Sequence, residues 1–343
     1  MERLILIETS TALCSAAICE KGGIITYRES DAPKSHASLT AVFIDEMLKE
    51  KGLELADCDG VCVSMGPGSY TGLRVGVSTA KGLCFGGGLP LLAVGTLDTL
   101  VAQAVAQGTV QCRRPDGTLA EMPVKSFTHI VPMIDARRME VYTGVFSRRD
   151  PGQGLGHGSG LSSGQGSGLG SGQGSGLSSG LSLGQVSGPG SGMDARQGSG
   201  LDIPGGQGAG ECQGADGLPG ANGRWDATDR WDSDDRRDAD DRRVTKGPDF
   251  IQTTETEPHI VTQESFLEPL AEGPVLFIGD GALKCADAIT SPNAFFLQCC
   301  PKASSMAVPA TEAFRKKEFR DVAYFEPFYL KEFTATVSRK KLF

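Results

Sequence analysis

Few residues in this chain have the types and spacing for chemistry. Gly66, Pro67, Gly68, Ser69, Tyr70, Thr71 and Gly72, with Arg74 just beyond, form a glycine-rich turn between an apolar run and a helix-forming stretch. Such a turn can hold an anion on free backbone N–H groups. It lacks the Lys-Ser/Thr pair of a P-loop, and Thr71 stands where the third glycine of a dinucleotide fingerprint belongs. Glu8, next to Thr9, and Asp135 occupy matching polar turns. A carboxylate there could hold a hydrated cation beside a nucleotide phosphate, or it could simply accept N–H groups of its own turn. The histidines are His36, His129, His157 and His259, with no HxxxH or HExxH pair. His36 precedes a helix and could touch a ligand, but a lone imidazole does not hold a metal. No residue is assigned to catalysis or to a metal.

The elements that must position these residues read in a regular order. Arg3 to Ile7, Cys14 to Cys19 and Ile24 to Arg28 predict a three-stranded meander. From Ser38 to Glu50 the apolar residues Leu39, Val42, Phe43, Met47 and Leu48 keep helical spacing. Val61, Cys62, Val63 and Met65 suit a strand buried on both faces, and the glycine turn then opens a helix from near Gly72 to Gly86. Within that helix Gly72, Gly76 and Ala80 recur every fourth residue, although Gly76 and Gly82 together cost about 2 kcal/mol relative to alanine. A compensating close approach follows, either to the helix's own sheet or to a helix of another subunit. Leu89 to Val94 predicts a further strand and Thr96 caps a helix to about Gln107.

The second half repeats the plan, with a strand at His129 to Ile134, a polar turn, and a returning strand at Glu140 to Phe146. Pro274 to Ile278 with Gly279-Asp280-Gly281-Ala282 repeats the order of strand, glycine turn and helix. Ala303 to Lys317 is helical in composition but interrupted by Pro309, and the aromatic run Tyr324 to Tyr329 reads as a strand packed on the core. Two α/β lobes with mixed sheets are expected, one over residues 1–108 and the other over 109–147 and 250–343.

Between them lies a different kind of sequence. Residues 151–223 hold 27 of the 47 glycines, and residues 224–243 hold six arginines and eight aspartates. Neither stretch can bury enough apolar surface to offset its ordering entropy, so residues 148–249 are expected to be a disordered insert. The chain's formal net charge of −9 disfavours RNA binding by phosphate neutralisation in the chain alone. Single cysteines among apolar residues, without CxxC, point to small core hydrophobes in a reducing cytoplasm. The apolar run at the N-terminus is too short for a signal peptide or a membrane span.

The segments GPGSYTGLRVGVSTAKGL, LILIETSTALCSAAI, MIDARRMEVYTGVF, FIGDGA and the closing YFEPFYLKEF together resemble the bacterial TsaB family of tRNA threonylcarbamoyladenosine biosynthesis proteins. The resemblance covers nearly the whole chain apart from residues 148–249, and GPGSYTGLR is its most specific part. It implies a two-lobed actin/Hsp70-like (ASKHA) fold and a non-catalytic subunit. That subunit supports a TsaD-like catalytic partner, which attaches threonylcarbamoyl to N6 of the adenosine beside the anticodon. It also implies that a TsaE-like ATPase takes part, that ATP and the metal ion belong to those partners, and that tRNA is met only through the complex. Where the catalytic paralogue has two histidines at the head of a helix, this chain has only His36. The family's interface uses the first two helices, which places Leu39, Val42, Phe43, Met47, Gly72, Gly76 and Ala80 at the partner surface. On that basis a bulky residue at Gly76 is expected to exclude the partner and leave the monomer folded. Two rivals remain: an ATP-binding sugar-kinase-like or peptidase-like enzyme of the same fold, and a homodimeric scaffold pairing through the same face.

Overall fold

A computed structural model describes residues 2–32, 36–149 and 249–331. The expected disordered insert lies outside the described residues except for its ends. The first lobe consists of β1 (Arg3–Glu8), β2 (Cys14–Glu20), β3 (Gly23–Ser30), α1 (His36–Lys51), β4 (Gly60–Ser64), α2 (Tyr70–Gly87) and β5 (Leu91–Val94). Its five strands run in the order β3-β2-β1-β4-β5, with β1 to β3 as the expected antiparallel meander and β4 and β5 added in parallel.

After α3 (Thr96–Gln107) the second sheet is built from β6 (Thr109–Arg113), β7 (Leu119–Pro123), β8 (His129–Asp135), β9 (Glu140–Thr143), β10 (Phe146–Arg148), β11 (Phe250–Gln252), β12 (Glu257–Ile260), β13 (Val275–Ile278) and β14 (Ala294–Leu297). The path is β11-β10-β8-β13-β14-β6-β7, with β9 pairing β8 and β12. α4 (Leu267–Glu272) and α5 (Ala307–Arg315) complete the elements. The architecture is two-lobed α/β with mixed sheets, as the sequence implies.

The lobe boundaries expected from sequence need correction at two helices. α3 turns Leu97, Leu100, Val101 and Ala104 onto Ile130, Ile134, Leu276 and Ile278, so a helix assigned to the first half packs on the second sheet. α5 turns Ala307, Ala310 and Ala313 onto Leu4, Leu6, Ala17, Cys62 and Leu92, so a helix assigned to the second half covers the first sheet. The apolar faces of both helices were legible, but spacing says nothing about which sheet receives them. α1 and α2 cover the opposite face of the first sheet through Phe43, Ile44, Met47, Val77, Ala80 and Cys84. The first sheet is thereby covered on both faces.

Three local expectations also differ. A 3-10 turn at Leu283–Cys285 follows the glycine turn after β13, where a helix was expected. The returning strand is split between β9 and β10 at Gly144-Val145. Tyr324 to Tyr329 is an open strap instead of a strand, with Tyr324 84% exposed. Pro309, by contrast, leaves α5 intact because it is the third helical residue, where its missing N–H has no intrahelical partner to lose.

Candidate functional site

The glycine loop is shaped by the turn between β1 and β2. Ser69 caps α2, its hydroxyl accepting the Gly72 N–H at 3.4 Å. The Ser69 N–H donates to Ser10 O at 2.6 Å, and Thr9 Oγ1 donates to Gly72 O at 2.8 Å. A Cβ on Gly72 would stand 2.0 Å from Thr9 O, and one on Gly76 would stand 2.3 Å from Thr9 Oγ1 and 3.4 Å from Val63 Cγ2. The close approach that these small residues permit is therefore to the chain's own turn and sheet.

That placement corrects most of the expected partner surface. Gly72, Gly76 and Ala80 are buried within the lobe, as are Phe43 at 9% exposure and Met47 at 0%. From the same set Leu39 is half-buried and Val42 is 44% exposed. The physical reason is that α1 and α2 both lie on the first sheet, and their apolar stripes serve that contact first.

The outward face carries other residues. Ala37, Ala41 and Val42 of α1 are exposed, as are Thr71, Arg74, Ser78, Gly82 and Phe85 of α2, with Phe85 at 88%. A shallow groove runs between the helices, lined by Ala37, Tyr70, Thr71, Arg74, Val75, Ser78 and Thr79. The strap is tied to α2: Lys81 Nζ donates to Ala323 O at 3.0 Å and Phe325 O at 3.2 Å. Phe328 N–H donates to Met65 O at 2.7 Å, and the Tyr329 ring packs on Tyr70 at a 36° tilt with centroids 4.8 Å apart. Arg74 lies over the Tyr70 ring and donates to its hydroxyl at 3.0 Å. Sequence reasoning missed Phe85 and the strap. The available signal was the second series on α2, Thr71, Ser78, Gly82 and Phe85, on the side opposite the glycine stripe.

The strap also closes over the glycine loop. Gly66, at φ +108°, has Phe328 O where its own Cβ would be, 2.8 Å away. The three residues considered for a nucleotide or cation are engaged within the chain or enclosed in it. Thr9 spends its hydroxyl on Gly72 O. The Asp135 carboxylate takes Lys284 Nζ and the Arg137 N–H. Glu8 is completely buried, with Oε1 accepting the Ser10 N–H at 2.7 Å while Oε2, Ser10 Oγ and Thr11 Oγ1 have no partner.

Burial pushes the Glu8 carboxyl above its usual range, against the lowering effect of the hydrogen bond from the Ser10 N–H. A raised acid favours the folded state fully below the unfolded value and loses that contribution as pH rises through the folded one. Glu8→Gln, neutral at every pH, is therefore expected to stabilise the fold by about 1–3 kcal/mol near pH 8. The gain should shrink toward zero near pH 4. Denaturant unfolding across that range measures it, and parallel pH profiles for the two proteins would show that Glu8 does not titrate as a buried acid.

The described histidines are drawn into local contacts. His36 Nε2 lies 2.9 Å from Thr11 O, His129 bridges Ser147 at 3.0 Å and Glu272 at 2.8 Å, and His259 Nε2 lies 2.9 Å from Ser265. Among the described residues no three His, Cys, Asp or Glu side chains are grouped to hold a metal ion. The described cysteines are free thiols, and burial raises Cys58, Cys84, Cys112 and Cys285 to about 11, which makes them poor nucleophiles. No helix among the described residues is long and apolar enough to cross a membrane.

Comparison with known proteins gives this geometry a relationship. Residues 15–150 match the family model described as TsaD, tRNA N6-adenosine threonylcarbamoyltransferase. The chain is 32% identical over 156 residues to the tRNA threonylcarbamoyladenosine biosynthesis protein TsaB of Escherichia coli K12, covering 46% of this chain and 59% of that one. It is 34% identical over 139 residues to TsaB of Haemophilus influenzae, covering 40% and 51%. The chain thus spans little more than half the length of the curated relatives it matches. Among solved structures, a Pseudomonas aeruginosa protein described as similar to peptidase YEAZ superposes with a TM-score of 0.57 at 17% identity, covering 96% of this chain and all of that one. YeaZ from the same organism gives 0.56 at 17%, again over 96% and 100%. The sequence is TsaB-like over the matched region, and the fold is that of the YeaZ structures.

Proposed function

We propose that this TsaB-like chain acts as the non-catalytic subunit of a cytoplasmic complex that places threonylcarbamoyl on N6 of the adenosine beside the tRNA anticodon. In this reading a TsaD-like partner supplies the catalytic metal site, a TsaE-like protein supplies ATP turnover, and tRNA is engaged through the assembly. The observation that carries the proposal is the outward face of α1 and α2. It exposes Val42 and Phe85 among the small residues Ala37, Ala41, Ser78 and Gly82, with Arg74 and the strap at its margin. Small side chains around a few large apolar ones suit a face against which another pair of helices can lie closely. The local engagement of His36, His129 and His259 supports a role in assembly over one in catalysis.

The same face can pair with a second copy when the partner is absent. Size measurement of the chain with and without the TsaD-like protein distinguishes the two assemblies. The functional test is reconstitution of tRNA modification from purified components. Modification is expected to require this chain together with both partners, and the chain alone is expected to show no transfer, peptidase or ATPase turnover. Full modification without the chain, or turnover by the chain alone, would overturn the proposal.

A further inference from the structure

The turn between β8 and β9, within the segment MIDARRMEVYTGVF, has a feature that neither the partner face nor the core requires. Arg137 and Arg138 both adopt positive φ, 74° and 53°, the only adjacent pair of non-glycine residues to do so among the described residues. L-residues resist this conformation, and hairpin turns that need it normally use Gly, Asn or Asp. Elsewhere among the described residues Gly22, Gly52, Gly88, Gly108 and Gly117 serve such positions, with Lys21, Phe266 and Lys317 as isolated non-glycine cases. The backbone would be easier to build with glycine at 137 and 138, so what the arginines add is their side chains.

The surroundings hold those side chains out and leave them unopposed. Asp135 Oδ1 accepts the Arg137 N–H at 2.8 Å, Ala136 N–H donates to Glu140 O at 3.1 Å, and Asp135 N–H donates to Asp280 Oδ1 at 2.9 Å, which locks the turn. The nearby carboxylates are engaged, Asp135 by Lys284 and Glu140 by Lys331. Arg137 and Arg138 are exposed, and neither guanidinium has an ion-pair or hydrogen-bond partner among the described residues. Two free guanidiniums on a rigid turn form a compact cationic tip on a chain of formal net charge −9. Guanidinium forks match phosphate oxygens.

We propose that Arg137 and Arg138 contact phosphodiester groups of the tRNA when this chain is in its complex, an inference that rests on the tRNA-modification reading above. A free nucleotide is the less suitable ligand, because it would also call on the glycine loop, over which Phe328 lies. Two arginines can neutralise at most two phosphates. The tip therefore adds to the affinity of an assembly and does not make the isolated chain an RNA-binding protein.

The test uses the full chain in complex with its TsaD-like partner and compares wild type with the double variants Arg137→Gly/Arg138→Gly and Arg137→Lys/Arg138→Lys. Glycine relieves the positive φ, so thermal unfolding of the first variant should be unchanged or shifted upward. Its tRNA affinity should nonetheless fall about fivefold or more near 0.1 M salt. The slope of log affinity against log salt should drop by about 1.4–1.8 for two lost phosphate contacts. The lysine variant should retain the wild-type slope. ATP and inorganic phosphate at millimolar levels should compete no better with tRNA on wild type than on the glycine variant. An unchanged slope and affinity in the glycine variant overturns the proposal, as does selective competition by either small phosphate. Reconstitution keeps the two readings separable. Modification that depends on this chain, together with an unaltered slope, sinks only the arginine contact, whereas modification that does not depend on it sinks both.

Discussion

Gly76→Leu is expected to destabilise the isolated chain by about 1–3 kcal/mol, despite replacing a helix-interior glycine with a residue of better propensity. The propensity gain is about 1 kcal/mol. Against it stands a side chain that must begin 2.3 Å from Thr9 Oγ1 and 3.4 Å from Val63 Cγ2, in a lobe where the Thr9 hydroxyl already ties the turn to Gly72 O at 2.8 Å. Overpacking of that kind typically costs 1–3 kcal/mol, and a lost buried hydrogen bond adds to it. Gly72→Ala tests the same contact with one methyl group, placed 2.0 Å from a backbone carbonyl that cannot swing away. Gly82 is the internal control. Nothing lies within 4 Å of its Cβ position, so Gly82→Ala should stabilise by about 0.5–1 kcal/mol. Thermal unfolding of the three variants measures the ordering. A folded, stable Gly76→Leu protein would mean that α2 presents its glycine stripe outward, as the family resemblance had implied.

The complementary experiment moves to the other side of α2. Val42→Asp/Phe85→Asp is expected to weaken association with the TsaD-like partner by about 2–4 kcal/mol, roughly 30- to 1,000-fold in Kd. A carboxylate desolvated at a packed apolar contact is costly wherever it is not paired. Because both side chains are exposed, at 44% and 88%, stability of the isolated chain should stay within about 0.5 kcal/mol of wild type. Calorimetric binding paired with unfolding separates the two effects. Wild-type affinity in the double variant would remove the outward helix face from the interface.

The contrast between these experiments marks what could be read from sequence. The alternation of apolar runs and turns located α1, α2 and the meander closely, because a helix or strand face that must be buried leaves a periodic trace. The four-residue recurrence of Gly72, Gly76 and Ala80 likewise announced a close backbone approach. It could not name the backbone, since a β-turn of the same chain and a helix of another chain demand the same absence of side chains. Phe85 went unread for the converse reason: the series Thr71, Ser78, Gly82 and Phe85 holds a single large apolar side chain, so it leaves no apolar stripe to report. Asp135 and Glu8 looked alike as turn carboxylates, yet one is held by Lys284, a residue 149 positions away, and the other is fully enclosed. Pairings at such separation arise only once the lobes are built.

The pairing of β10 with β11 has a consequence for how this fold tolerates change. Arg148 stands directly opposite Phe250 in an antiparallel register, and Arg149 N–H donates to Asp249 O at 2.9 Å. The chain therefore leaves the second sheet and re-enters it through a single doorway one strand spacing wide. A connection whose two ends are held one strand spacing apart can vary widely in length, because the closure cost of a flexible loop grows only with the logarithm of its length. A hundred residues could be exchanged there for a handful, or for a whole reporter domain with adjacent termini, and no strand on either side would have to change its register.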